Sequence, residues 1–200
     1  MIRVPLAIVT QRQNEDGSAA DGSIEASGGR ARSLDEAPEG ATERLARCGL
    51  QVERTEQSGA VQVTQGKTRL SGQTLQYDEE DGTAHIKGPV TFERPTDDGP
   101  LTGTADQIDI NVDTQATTLV GNVTLRSGGG RVSQAARVEY DDQANTARLL
   151  GTASQPATSE KAGEEIRAAE ILYLLDSGDV LVWRSDEVGI SGKFEVEETP

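Results

Sequence analysis

A unit of roughly 30–33 residues recurs along this chain, and it limits the possible folds more than any other feature of the sequence. The unit is clearest from Leu70 to Phe92, where alternating apolar and polar residues lie on both sides of the acidic turn at 79–82. This pattern is typical of a half-buried β-hairpin. Gly88 then interrupts the run, and a second short alternating segment begins at Val90.

The unit returns in register. The segment 88–92 reappears as 121–125, again with the pattern Gly-x-Val-Thr. One aligned position occurs in four copies of the unit, where it is occupied by Tyr77, Ile110, Tyr140 and Tyr173. These residues are 33, 30 and 33 positions apart along the chain. A repeat of this size predicts a stack of supersecondary units, each too small to bury its own apolar face.

Composition agrees with a thin, elongated β-structure. Of 200 residues, 34% are hydrophobic and 3% are aromatic, which is little for a thick globular core. The net charge of -15 argues against nucleic acid as a partner and against an anionic membrane surface. We divide the chain into an N-terminal segment, 1–58, and a repeat domain, 59–200.

The N-terminal segment is predicted to be only partly ordered, with possible extra strands. Residues 1–10 could form one strand, whereas 13–40 are mostly small and acidic and are expected to be loosely ordered. Residues 38–47 could form a helix capped by Thr42, or a strand that continues to Val52. The apolar run at 5–9 is too short for a secretory signal peptide.

Three predictions in the repeat domain are specific enough to test. Gly88 and Gly121 should each separate two short strands. The polar stretch 155–163 is predicted to be a loop. Residues 164–175 have helical spacing, but the alignment of Tyr173 with Tyr140 favours a strand.

The units open with Leu-x-Gly or Ala-Asp, turn at Tyr-Asp and close with Gly-x-Val-Thr. Together these motifs resemble the OstA-like family, which is best known from LptA-type lipopolysaccharide-transport proteins. The resemblance covers about residues 59 to 182. The matching segments are Val61–Gly66, Leu70–Phe92, Thr104–Leu125 and Ala135–Leu150.

The resemblance implies an all-β fold, an elongated open β-jelly roll (a β-taco) of stacked antiparallel strands. It also implies a non-enzymatic periplasmic or cell-envelope protein that binds or conducts a lipopolysaccharide-like amphipathic lipid in an apolar trough. Its partners would then be lipid acyl chains and other β-jelly-roll envelope proteins, or copies of itself joined end to end as an oligomer. Neither a cofactor nor nucleic acid is expected.

Strand alternation predicts which side chains face inward, and the resemblance implies that the same side chains bind lipid. An inward face is also simply a core, and in an open jelly roll the two interpretations overlap. The predicted residues are Val61, Val63, Leu75, Tyr77, Ile86, Val90, Phe92, Ile108, Ile110, Val123, Leu125, Val138, Tyr140, Leu149, Ile171 and Tyr173.

No catalytic or metal-binding residue is predicted. His85 is the only histidine, and it lies on the strand face opposite Ile86 without a second histidine or a cysteine to share a metal. A carbohydrate-active jelly roll is disfavoured by the scarcity of aromatic residues. The negative charge disfavours binding of the phosphates of a lipopolysaccharide headgroup. Two alternatives therefore remain: the protein binds another lipid, or it is a purely structural module that assembles through its strand edges.

Overall fold

A computed structural model describes residues 1–34, 38–97, 99–114, 116–141, 143–182 and 191–193. Strands dominate this part of the chain, every strand pairing in it is antiparallel, and its single helix is one turn long. No helix within these ranges is long and apolar enough to cross a membrane. The elements are β1 Ile2–Arg3, β2 Leu6–Gln13, β3 Ala19–Ser33, α1 Arg44–Arg47, β4 Leu50–Thr55, β5 Val61–Gln65, β6 Thr68–Gly72, β7 Thr74–Asp78, β8 Thr83–Arg94, β9 Leu101–Asn111, β10 Thr117–Arg126, β11 Val132–Asp141, β12 Thr146–Leu150, β13 Ala157–Lys161, β14 Glu164–Ala168, β15 Glu170–Leu174, β16 Val180–Val182 and β17 Ser191–Lys193.

The strands form two layers joined along one side, because the central strands bend and contribute to both layers. The first layer runs in the order β2, β3, β7, β8, β9, β10, β11, β12, β15 and β16. The second layer runs in the order β1, β5, β6, β8, β9, β10, β11, β13, β14 and β17. This elongated, folded-over sheet confirms the predicted open jelly roll.

Glycines mark the bends between the layers. β8 pairs with β7 before Gly88 and with β6 after it, and the register of the β8–β9 pairing shifts between Lys87 and Val90. Gly88 has φ +98°, a backbone conformation that residues with a side chain rarely adopt. Gly121 has φ +77° at the equivalent bend of β10. The prediction that these glycines separate strands is therefore wrong, because each glycine bends one continuous strand.

The side of the molecule opposite these glycines is formed by the turns that connect successive strands, and we call it the open rim. On the second layer the open rim comprises residues 66–67, 95–97, 99–100, 127–131 and 162–163. On the first layer it comprises residues 79–82, 112–114, 116, 143–145 and 175–179. The bends and the open rim thus enclose an interior from opposite sides.

The N-terminal segment contributes more regular structure than we expected from its composition. β2 pairs with β3, and β3 continues the first layer by pairing with β7. The expectation of loose order at 13–40 is thus wrong for Ala19–Ser33, because the exposed edge of β7 supplies the hydrogen-bonding partners that this polar stretch needs. Residues 38–52 combine both alternatives, a single helical turn with Glu43 rather than Thr42 as N-cap, followed by β4.

Two predictions nearer the C-terminus have opposite outcomes. Residues 164–175 form β14 and β15, which confirms the prediction of strands over helix. The prediction of a loop at 155–163 is wrong, since β13 occupies Ala157–Lys161. β13 pairs with the first half of β11 on one side and with β14 on the other, so the second layer requires a strand here despite its polar sequence.

Candidate functional site

The inner faces of the two layers form one continuous apolar cluster. Of the predicted inward residues, only Tyr77 lies outside the buried core; it is partly buried and packs against that core. The others are buried, and Ile86, Ile108, Leu149 and Ile171 are fully buried. Strand alternation therefore identifies the interior, whereas lipid binding by these residues stays a prediction.

The interior contains further residues that the sequence analysis did not select. Leu101 and Leu119 are buried at positions that strand alternation could have found. Others are small, and a buried alanine leaves little signal in a hydrophobicity pattern; they are Ala84, Ala105, Ala147, Ala157 and Ala168.

At the open rim, side chains from the second layer reach across to the first. The rings of Phe92 and Tyr140 meet edge to face with their centroids 5.8 Å apart. The guanidinium carbon of Arg94 lies 5.4 Å from the centroid of the Tyr140 ring. Arg94 also donates a hydrogen bond of 2.9 Å from Nη2 to Oδ1 of Asn145. These contacts hold the two layers together and cover the middle of the interior.

An open cavity of about 280 Å³ brings part of the apolar face to the surface beside the edge strand β2 and its neighbour β3. Leu6, Ala26 and Leu75 line it, together with Arg54 and Thr55 at the end of β4. Sites for drug-sized ligands usually measure about 300–1,000 Å³. At about 280 Å³ this cavity falls just below that range.

A polar group interrupts the apolar interior near the open rim of the second layer. Ser133 and Ser159 are buried opposite each other on β11 and β13, with their hydroxyl oxygens 2.9 Å apart. Arg131 is also buried and donates a hydrogen bond of 3.2 Å from Nη1 to Oγ of Ser159. The sequence analysis missed this group because it assigned β13 to a loop.

The outer faces of the layers are polar and carry ion pairs. Arg148 on β12 contacts Glu139 on β11 and Glu170 on β15. Its hydrogen bond to Glu170 and the negative charge of that carboxylate raise the pKa of Arg148 above its ordinary value. Arg12 bridges β2 to Asp78 at the end of β7, and this hydrogen bond likewise raises the pKa of Arg12. Because these pairs are exposed to solvent, they contribute little to the stability of the fold.

His85 lies on the outer face, as its position opposite Ile86 predicts. Its Nδ1 is 2.6 Å from Oδ1 of Asp109 on the neighbouring strand, and Gln107 donates to the same oxygen. The ring is thus held by one carboxylate. Within the described residues, no group of three or more His, Cys, Asp or Glu side chains could hold a metal ion.

Comparisons with known proteins agree with this architecture. Residues 47–143 match the model of a protein family described as LptA/(LptD N-terminal domain) LPS transport protein. This match confirms the resemblance found in the repeats as far as residue 143, and it also includes β4, which lies outside the segments that carry the resemblance. The family description names a transport protein, in agreement with the prediction that the chain is not an enzyme. No curated protein matches the chain.

Among solved structures, the chain is similar to LptH from Pseudomonas aeruginosa, described as the LptA-homologous periplasmic component of the conserved lipopolysaccharide transport device. The similarity has a TM-score of 0.52 at 15% sequence identity and covers 64% of this chain and 95% of LptH. At this identity the comparison confirms the fold.

Proposed function

We propose that this chain is a periplasmic component of lipopolysaccharide transport that shields the acyl chains of the lipid between its two layers. The family description and the fold shared with LptH support the transport role and the location. The observation that carries the proposal is the inner face, because its buried apolar side chains form one cluster that extends from β3 to β15.

The driving force would be burial of the acyl chains. Each methylene group removed from water contributes about 0.8 kcal/mol. A few acyl chains therefore supply enough free energy to replace the contacts that hold the layers together without a ligand. Because the central strands bend at glycines, we expect separation to begin at the open rim, where Arg94 and Tyr140 meet.

A second function is favoured by the packing of the interior. Most of its side chains are buried without any ligand, as expected of a structural module that uses the interior only as a core. In that case the edges of the layers would bind other β-jelly-roll proteins or copies of this chain by strand pairing. Within the described residues, β2 pairs only with β3 and β16 only with β15, so both ends of the first layer offer an edge.

Photo-crosslinking distinguishes the two functions. A benzoylphenylalanine residue replaces Tyr140, which faces inward, or Leu181, which is an exposed apolar residue on the outer face of the same layer. After incubation with purified lipopolysaccharide and irradiation, we expect a lipid adduct at position 140 and none at position 181. Equal adducts at both positions, or none at position 140 in a folded protein, would reject the lipid-shielding function. Discrete oligomers in sedimentation velocity would then favour the structural module.

A further inference from the structure

Arg131 is a buried cation near the open rim of the second layer. It is 9% exposed, and among the residues that the structure describes its side chain has one hydrogen-bond partner, the neutral hydroxyl of Ser159, while its buried Nε has none. Across the described residues, no carboxylate forms an ion pair with it. Burial of a charge is costly unless the charge is paired, so an unpaired guanidinium at this position is available to an anion.

A second cation lies beside it. Ser133 pairs with Ser159 in the β11–β13 register, so the next inward-facing positions towards the open rim are those of Arg131 and Lys161. Nζ of Lys161 lies 3.7 Å from the position that a Cβ atom on Gly129 would occupy, which places it at the turn preceding Arg131. The Arg131 guanidinium and two hydroxyl groups therefore share one corner of the inner face, and the exposed Lys161 lies at its rim.

The acidic residues around this corner do not neutralise it. Glu164 is opposite Lys161 in the β13–β14 register, and Glu160 is opposite Val132, yet neither forms an ion pair with Lys161 or Arg131 in the part of the chain that the structure describes. By contrast, arginines on the outer face, such as Arg148, contact carboxylates. Among the described residues, Arg131 and Lys161 are therefore neighbouring cations, and neither forms an ion pair with a carboxylate.

We propose that Arg131, Lys161, Ser133 and Ser159 form a binding site for a phosphate group carried by an amphipathic lipid. Guanidinium and ammonium groups bind phosphate through charge-assisted hydrogen bonds, and hydroxyl groups donate further ones. The proposal rests on the lipid-shielding function: the acyl chains lie in the apolar interior, and the phosphate stays at the open rim. The site also offers a phosphorylated lipid two neighbouring cations within an otherwise acidic chain.

The test compares wild type with Arg131→Gln, Lys161→Gln and the control Arg126→Gln. Arg126 is exposed at the neighbouring end of β10, so its substitution makes the same change in net charge outside the site. Binding of diphosphoryl lipid A, of the same lipid A after enzymatic dephosphorylation, and of inorganic phosphate is measured by native mass spectrometry and fluorescence titration. Circular dichroism verifies that each variant is folded.

We expect Arg131→Gln to weaken binding of diphosphoryl lipid A about tenfold or more, the loss typical of one charge-assisted hydrogen bond. Lys161→Gln, at an exposed position, should weaken it several-fold and serves as the decisive variant if Arg131→Gln fails to fold. Arg126→Gln should bind like wild type, and all four proteins should bind dephosphorylated lipid A equally.

Each contrary result has a separate meaning. Equal binding of both lipids by wild type and variants would reject the phosphate site and leave the lipid-shielding function intact. Binding of inorganic phosphate that depends on Arg131, without binding of either lipid, would show a site for free phosphate and reject both the lipid-borne phosphate and lipid shielding. If no probe binds, the site and the lipid-shielding function are both rejected.

Discussion

Replacement of Arg131 by methionine should make the protein more stable in the absence of lipid. A buried polar atom without a partner costs about 1–3 kcal/mol, and Nε of Arg131 is such an atom. The substitution also removes the hydrogen bond to Ser159, which contributes roughly 1 kcal/mol, but Ser159 keeps its hydrogen bond to Ser133. Methionine retains a flexible apolar chain in place of the arginine stem, so we expect little loss of packing.

The net expectation is a gain of about 1 kcal/mol in the free energy of unfolding, since removal of the buried charge outweighs the lost hydrogen bond. For a chain of this size such a gain raises the melting temperature by roughly 2–4 °C. Thermal unfolding followed by circular dichroism, together with urea denaturation, measures both quantities. Arg126→Met, at an exposed position, should change the stability by less than about 0.5 kcal/mol.

A fall in the melting temperature of Arg131→Met, with Arg126→Met unchanged, would refute this reasoning. It would mean that the guanidinium already has hydrogen-bond partners in the free protein, from water or a further group. Its charge would then not be available to bind an anion. Higher stability combined with weaker binding of a phosphorylated lipid would instead show that this position trades stability for binding.

Three further predictions concern the fold. Gly121→Ala should lower the free energy of unfolding, measured in urea, by about 1–3 kcal/mol, because φ is +77° and the new Cβ would meet the side chain of Asp106. The control is Gly130→Ala, where φ is +83° but the space around the new Cβ is open. It should lower the free energy of unfolding by only about 1 kcal/mol. Leu149→Ala should cost about 2–5 kcal/mol, since this leucine is fully buried, as measured by the same denaturation. Hydrogen bonds from Ser18 lower the pKa of Asp16, so their stabilising effect is present above the ordinary carboxyl pKa and is lost as the pH falls through the lowered value. Ser18→Ala should return the pKa of Asp16 towards its ordinary range in an NMR titration of its carboxyl group, and an unchanged pKa would contradict the assignment.

The repeat made most of the fold predictable, because its signal is the alternation that a layer with one buried face requires. Tyr140 and Tyr173 illustrate this, since their alignment predicted both the strand at 170–174 and the inward face. Alternation cannot distinguish a bend from a strand end, however. At Gly88 and Gly121 both would look the same in sequence, and only the pairing with β9 on both sides of each glycine shows that the strand continues.

The candidate phosphate site could not be predicted in this way. β13 has the sequence Ala-Thr-Ser-Glu-Lys, and it becomes a strand because the first half of β11 and β14 both need a partner. Its local composition favours a loop, so tertiary context overrides propensity. Arg131 likewise follows three glycines and looks like a solvated turn residue until β13 covers it.

In this antiparallel stack, the length of the molecule and the size of its cross-section depend on different features of the chain. Each central repeat supplies two strands that cross both layers, β8 with β9 and β10 with β11, so one added repeat of this kind lengthens the stack by about 10 Å, at roughly 4.8 Å per strand. The inner width depends instead on the number of residues between a bend and the turns of the open rim. A chain built this way can therefore span a longer distance by duplication of a repeat, while the size of the groups that fit between its layers stays the same.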